Sequence, residues 1–222
     1  MFHGVAVRAS GLSLRGGHGW VYRDVALEAG PGSLTVVAGQ AGSGRTGLLL
    51  TLAGRMKPTG GALSVGGHVT PRSIRRVAAL GLVDGVNDLE DALSVREHLR
   101  ERVAGPFRNR RRPERAGAAL ALAGLECSPD DRTLIRDLGR ERRVRLGIAL
   151  ALLDGPGLLV LDNVDTGLGE DRRDALRATL ADLAERGLTV VASCTGSEAA
   201  TLRLPSRIPS EVPAVPAGEE ER

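Results

Sequence analysis

Three short runs of the chain are apolar or β-branched at every position instead of at alternate ones: Leu34–Ala38, Leu158–Leu161 and Thr189–Ala192. Runs of this kind are strands buried on both faces, as in parallel sheets. Val77–Val83 is a further apolar strand candidate, and Val5–Leu14 and Val25–Glu28 read as short strands near the N-terminus. Helical spacing separates these runs. Leu176, Leu180 and Leu183 lie at i, i+4 and i+7 and predict a helix over Glu170–Glu185, which Gly187 stops. Thr46–Arg55 reads as a helix ended by Pro58, Gly60 and Gly61, while Pro113–Leu125 and Glu141–Leu153 carry leucine and alanine at helical intervals. Ser94 and Glu97 form a capping-box pattern that opens a helix through about Val103. Gly105–Arg115 reads as a loop, and Pro205–Arg222, with prolines at 205, 209, 213 and 216, as a disordered tail. Alternating strands and helices around wholly apolar strands imply an α/β protein with a mainly parallel core sheet.

Composition narrows the function. In 222 residues, 30 Lys+Arg against 27 Asp+Glu leave a net charge of only +3, which excludes a dedicated polyanion binder. The four aromatic side chains are Phe2, Trp20, Tyr22 and Phe107, too scattered to serve as stacking platforms for single-stranded nucleic acid, so no nucleic-acid partner is expected. Lys57 is the only lysine, so chemistry that calls for a cation falls to arginine. Cys127 and Cys194 follow no metal or redox spacing, which points to a reduced, cytosolic setting. His3, His18, His68 and His98 have no ligand spacing and are expected at the surface or in turns. Neither a signal-peptide core nor a run near the ~20 apolar residues of a membrane helix is present.

The candidate chemistry lies between the Leu34–Ala38 strand and the helix that follows. Gly39, Gln40, Ala41, Gly42, Ser43, Gly44, Arg45, Thr46 and Gly47 form a glycine-rich turn where backbone N–H groups and a helix N-terminus can surround an anion. Two motifs fit this turn. Gly42, Gly44 and Gly47 make GxGxxG, a dinucleotide fingerprint, whereas Gly39, Gly44 and Thr46 make GxxxxGK[ST] with Arg45 in place of lysine. The dinucleotide reading needs a ribose-binding carboxylate about 20 residues on. From Ala29 to Val83 there is no Asp or Glu, but there are Arg45, Arg55, Lys57, Arg72, Arg75 and Arg76, a run that suits a polyphosphate. In the phosphate-loop reading Thr46 offers a hydroxyl to Mg²⁺ and Arg45 reaches the outer phosphates. Arg keeps the charge of lysine but not its compact shape.

With Leu48–Leu50 and Leu52–Gly54 behind it, this loop resembles the nucleotide-binding domain of ATP-binding cassette (ABC) transporters, and later segments agree in order from about Val5 to Leu202. Leu93–Leu99 looks like the segment after the family's Q-loop, Leu158–Asp162 like its Walker B strand, and Gly167–Leu168 falls in its D-loop region. The resemblance implies a P-loop NTPase fold over residues 1–204, with an antiparallel N-terminal β subdomain and a helical insert at about 86–145. It implies ATP and Mg²⁺ as ligands, Mg²⁺ held through Thr46 and Asp162, and a homodimer or heterodimer with another cassette. An integral-membrane permease subunit would hold the chain at the inner, cytoplasmic face of a membrane.

Position by position, the resemblance also implies that the family's working groups are replaced. Arg45 stands for the P-loop lysine, Gly85 for the Q-loop glutamine and Leu138–Arg142 for the signature. Asn163 stands for the carboxylate after Walker B, and Thr195 for the switch histidine. Asp165 is the alternative carboxylate, and the adenine-stacking aromatic expected near Gly16 is missing unless Trp20 takes its place. Seven arginines between Arg100 and Arg115 lie where the family meets its membrane subunit. The function expected is the ATP-binding subunit of an ABC-type transport or export system with no assigned catalytic residue. The alternatives are a nucleotide-binding pseudo-ATPase regulator or adaptor and, more remotely, a dinucleotide oxidoreductase.

Overall fold

The computed structural model describes residues 1–104, 112–195 and 200–205. The N-terminal segment folds into two long strands, β1 (Val7–Gly16) and β2 (Gly19–Ala29), joined by a tight turn at Gly17 and His18. Next come β3 (Leu34–Ala38), helix α1 (Arg45–Leu52), β4 (Gly60–Val65), the four-residue α2 (Pro71–Ile74) and β5 (Ala78–Leu80). Then follow α3 (Val95–Ala104), α4 (Arg112–Leu122), α5 (Arg140–Leu152), β6 (Leu158–Leu161), α6 (Glu170–Glu185), β7 (Thr189–Cys194) and β8 (Leu202–Arg203).

The strands make two sheets. Order β2-β1-β4 gives an antiparallel sheet, and order β5-β6-β7-β3-β8 gives a sheet that is parallel throughout. Side chains of a strand alternate between faces, and that alternation sorts the core. Leu158 and Val160 of β6, with Val191 of β7 and Val37 of β3, pack on the side of α1 and the antiparallel sheet. Leu159 and Leu161, with Val190 and Ala192, pack against α3, α4, α5 and α6. This is why the central runs are apolar at every position. The antiparallel sheet is joined to α1 by the buried Tyr22, whose hydroxyl donates to Thr51 at 2.7 Å.

The helical layer is held by a residue that periodicity does not reveal. Arg145 on α5 is buried, and its guanidinium donates to Glu141 at 2.8 Å and, at 2.9 Å each, to the Ala123 carbonyl and the Thr179 hydroxyl. One side chain therefore ties α5 to the end of α4 and to α6. The Ser94–Glu97 capping box forms as expected, with the Ser94 amide donating to the Glu97 carboxylate at 2.8 Å. Hydrogen bonds from Ser94 hold the Glu97 carboxyl below its usual range.

Several expectations are corrected. β4 was not anticipated, because Gly60 and Gly61 read as a helix stop; Gly61, at φ +83°, lies directly over the Gly11 backbone, where a side chain would collide. β5 is shorter than Val77–Val83, since only Ala78–Leu80 pair with β6. α1 stops at Leu52, short of Arg55, because Gly54 turns the chain at φ +68°. β2 extends back to Gly19 where Val25–Glu28 was expected. His98 is buried, not at the surface, with its Nε2 3.3 Å from the Glu90 carbonyl. The Gly105–Arg115 loop overlaps α4 from Arg112 and otherwise lies mostly outside the described residues, as does the tail beyond Pro205.

Arg145→Met is expected to lower unfolding stability by about 2–3 kcal/mol, because Glu141 and the Ala123 carbonyl are left without their donor. The exposed Arg142→Met is expected to change it by less than about 0.5 kcal/mol. Urea titrations of the two variants provide the comparison.

Candidate functional site

The glycine-rich turn sits at the C-terminal end of β3, between β7 and the edge strand β8 of the parallel sheet, on the side where the ends of β6 and β7 also emerge. Gly42 and Gly44 take φ +80° and +87°, a region that favours glycine. Gly44 is also covered, since the Val21 carbonyl of β2 lies where a Cβ would be, whereas nothing approaches Gly42. Gly39 is closed in the same way by the Ser43 side chain. Gly44 caps α1 without a side-chain hydrogen bond, and the first turn carries no acidic residue. The first N–H groups of a helix lack an internal partner, so this end of α1 is suited to an anion. The Ser43 hydroxyl is buried within the loop and has no hydrogen-bond partner among the described residues.

Thr46 and Asp162 meet. The Thr46 hydroxyl donates to Asp162 Oδ2 at 2.6 Å, and the Ser193 hydroxyl donates to Asp162 Oδ1. Ser193 in turn accepts the Asn163 amide at 2.9 Å. Sequence reasoning missed Ser193, although strand alternation places it on the α1 side, two residues beyond Val191. An uncharged loop hydroxyl and a buried carboxylate side by side fit a divalent cation that carries phosphates.

Arg45 is 7% exposed, and its Nη1 donates to the Cys194 carbonyl at 2.6 Å. Burial, reinforced by the Asp165 carboxylate, pushes the Cys194 thiol up, against the guanidinium groups of Arg45 and Arg177. The carboxylate of Asp165 accepts the Thr195 amide at 3.0 Å and the Thr195 hydroxyl at 2.9 Å. Asp165 is thus engaged in holding the end of β7, which argues against a part as the missing base. Asn163 takes φ +47°, and its buried Oδ1 has no partner among the described residues.

The remaining positions are spread out. Gly85 lies in an exposed turn, its amide donating to Asp88 at 2.9 Å. In Leu138–Arg142, Gly139 caps α5, Arg140 makes a bidentate pair with Asp84 at 2.9 and 3.1 Å, and Glu141 pairs with Arg145 and Arg172. Trp20 faces Arg15 across the hairpin, and the guanidinium groups of Arg15 and Arg23 stand 5.7 and 5.3 Å from its ring. The six-cation run divides. Arg45 belongs to the loop, but Arg55, Lys57, Arg72, Arg75 and Arg76 follow the far end of α1, an eight-residue helix about 12 Å long. The dinucleotide reading also loses its frame. The strand after α1 is β4, which pairs with β1 in the other sheet, so no ribose-binding strand lies beside β3, whose neighbours are β7 and β8.

The family model that matches the chain is described as ABC transporter and spans residues 22–166, more than half of the sequence. The chain belongs to the ABC transporter family. Similar proteins include the cytochrome c biogenesis ATP-binding export protein CcmA of Cupriavidus necator, 34% identical over 90% of this chain and 88% of that protein. The Nod factor export ATP-binding protein I of Cupriavidus metallidurans is 32% identical over 74% of this chain, which spans only 54% of that relative's length. Among solved structures, the dimeric post-hydrolysis state of the ATP-binding cassette MJ0796 bound to ADP and Pi superposes with a TM-score of 0.70 at 23% identity, covering 86% of this chain and 88% of that one. That likeness establishes the ABC-type P-loop NTPase fold.

Gly44→Ala and Gly42→Ala separate the two demands on this ABC loop. Gly42→Ala is expected to cost about 1–2 kcal/mol from backbone conformation alone. Gly44→Ala is expected to cost at least about 3 kcal/mol, because the new methyl also displaces β2 from the loop. Equal losses in urea unfolding would contradict the close approach of Val21.

Proposed function

We propose that this chain is the ATP-binding subunit of an ABC-type membrane transport or export system, and that it holds MgATP but hydrolyses it slowly. The observation that carries the reading is the contact of Thr46 with Asp162 at 2.6 Å beside the glycine-rich loop. The two relatives described above, among others that match, are named as export ATP-binding proteins. The loop amides of Gly39–Gly47, the Ser43 hydroxyl and Arg45 would face the phosphates, and Thr46 and Asp162 would hold Mg²⁺. The metal, when bound, neutralises phosphate charge. A permease supplies the membrane span; no helix among the described residues is long and apolar enough to cross a bilayer. A second cassette, a copy of this chain or another, completes the dimer at the inner face of the membrane.

Slow turnover follows from what this chain's residues can do with a proton. Asn163 can orient a water but cannot accept its proton, and general base help of this kind is worth about 10²–10⁴ in rate. Arg140 and Glu141 stand where close backbone approach to a terminal phosphate would be needed, and both are engaged in ion pairs. A second reading, a nucleotide-binding regulator without a transport role, is favoured by the Thr195–Asp165 contact, which commits the end of β7 to a carboxylate of this chain.

Calorimetric titration tests the site. MgATP and MgADP are expected to bind at least about tenfold more tightly than NADP, and Asp162→Ala to weaken both. Equal affinity for all three ligands, or none for any, would remove the nucleotide reading. Co-purification of a multi-span permease separates transport from regulation, and its absence would leave only the regulator. Arg45→Lys combined with Asn163→Glu is expected to leave turnover within about tenfold of the parent, because the signature segment is still missing. A gain beyond about a hundredfold would contradict that account.

A further inference from the structure

The cations that the loop does not use are gathered elsewhere. Beyond α1 the chain turns at Gly54 into Arg55, Met56 and Lys57; α2 then carries Arg72 and is followed by Arg75 and Arg76. All five cationic side chains belong to exposed residues, and none of them makes an ion pair among the described residues. The sequence offers them no local counter-charge, since Asp and Glu are absent from Ala29 to Val83. The carboxylate that acts on Arg55 is Asp154, and Arg102 already holds it at 2.6 Å. Partial burial, then the like charges of Arg75 and Arg102, push the Arg55 guanidinium down. Like charges brought together in this way repel one another, and a complementary acidic surface would relieve the repulsion.

Immediate chain neighbours of these cations line an apolar cavity. A cavity of about 270 Å³ is lined by Met56, Pro58, Leu63, Val69, Pro71 and Ile74. Met56 is 38% and Val69 67% exposed, among the few large apolar side chains left open to solvent. Cations and cavity interleave in sequence, with Met56 between Arg55 and Lys57, and Pro71 beside Arg72.

We propose that this face docks an acidic, amphipathic segment of a partner polypeptide, whose carboxylates meet Arg55, Lys57, Arg72 and Arg75 while an apolar side chain enters the cavity between α1 and α2. Charge complementarity selects the acidic partner. The cavity favours a polypeptide over an anionic bilayer, because a plane of headgroups does not fill a concave pocket whereas a side chain does. The surface is separate from the nucleotide loop, so it stands or falls independently of the proposed function.

The test uses the full chain without nucleotide and follows the fluorescence anisotropy of a labelled amphipathic helical peptide with glutamates on one face and leucines on the other. Binding is expected to weaken at least about tenfold with Lys57→Glu, Arg72→Glu and Arg75→Glu combined, and by a similar factor when the peptide's glutamates become glutamines. It is also expected to weaken as salt rises from about 50 to about 300 mM. Circular dichroism checks that the triple variant folds; if it does not, Arg72→Gln with Val69→Ser at exposed positions gives the same comparison. No peptide binding, or binding indifferent to the charge changes on either side, overturns the proposal. So does co-sedimentation with phosphatidylglycerol vesicles, but not phosphatidylcholine vesicles, by a protein that ignores the peptide, since the face would then belong to the membrane.

Discussion

The Asp162 carboxylate, 5% exposed, is the point at which three segments of this molecule are joined. It sits at the end of β6, accepts one hydroxyl from the first turn of α1 and another from Ser193 of β7, and Ser193 passes the connection back to the Asn163 amide. A charge this far from solvent persists only where hydrogen bonds replace its water. Thr46 and Ser193 supply them, so the loop, β6 and β7 cannot shift independently without leaving it unsatisfied. The glycines then shape the loop around a fixed centre. β2 closes over Gly44 from the other sheet and leaves no room for a side chain there, while Tyr22 on the same strand bonds Thr51 of α1.

From that centre the end of β7 is held residue by residue. Ser193 donates to Asp162, the Cys194 carbonyl accepts from Arg45, and Thr195 donates through both its amide and its hydroxyl to Asp165. These ties differ in how readily a nucleotide could change them. Arg45 gives its hydrogen bond to a neutral carbonyl, and a phosphate oxygen would be the stronger acceptor, because Coulomb attraction between opposite charges adds to the bond. Thr195 is bonded to a carboxylate and gains nothing by turning to another anion. A ligand could therefore draw Arg45 away while the end of β7 stayed where it is.

The parts of the fold that were legible in the sequence are those set by burial on both sides of a strand or by one apolar helix face. Leu34–Ala38, Leu158–Leu161 and Glu170–Glu185 have the expected bounds. β4 was not legible, because its pairing of Val65 with Val7 is a tertiary fact and its glycines read locally as a stop. At the site, the glycines and Thr46 followed from spacing, since the loop geometry is local, and Asp162 followed from the resemblance to the family. Ser193, the direction taken by Arg45 and the engagement of Asp165 by Thr195 depend on how strand ends line up across the sheet, and spacing does not encode that register. Arg145 was hidden for a related reason, since one of four arginines between residues 140 and 145 reads as solvent-facing like the others until α4 and α6 are packed around it.

The cationic run shows why nearness in sequence misled about charge. Read as a string, Arg45 to Arg76 forms one field around the loop, but α1 places about 12 Å of helix between Arg45 and the rest. The Debye length at physiological salt is about 8 Å, so exposed cations at that distance are largely screened from a ligand at the loop. Attraction for phosphate must then come from the loop amides, the N-terminal end of α1 and Arg45 itself. Arg45 is buried and therefore little screened, but it is already bonded to the Cys194 carbonyl. Replacing lysine by arginine at this position does more than change the shape of a cation. It lets the side chain span from the loop to the end of β7, so that bonding the Cys194 carbonyl and binding a phosphate would be competing uses of one guanidinium group.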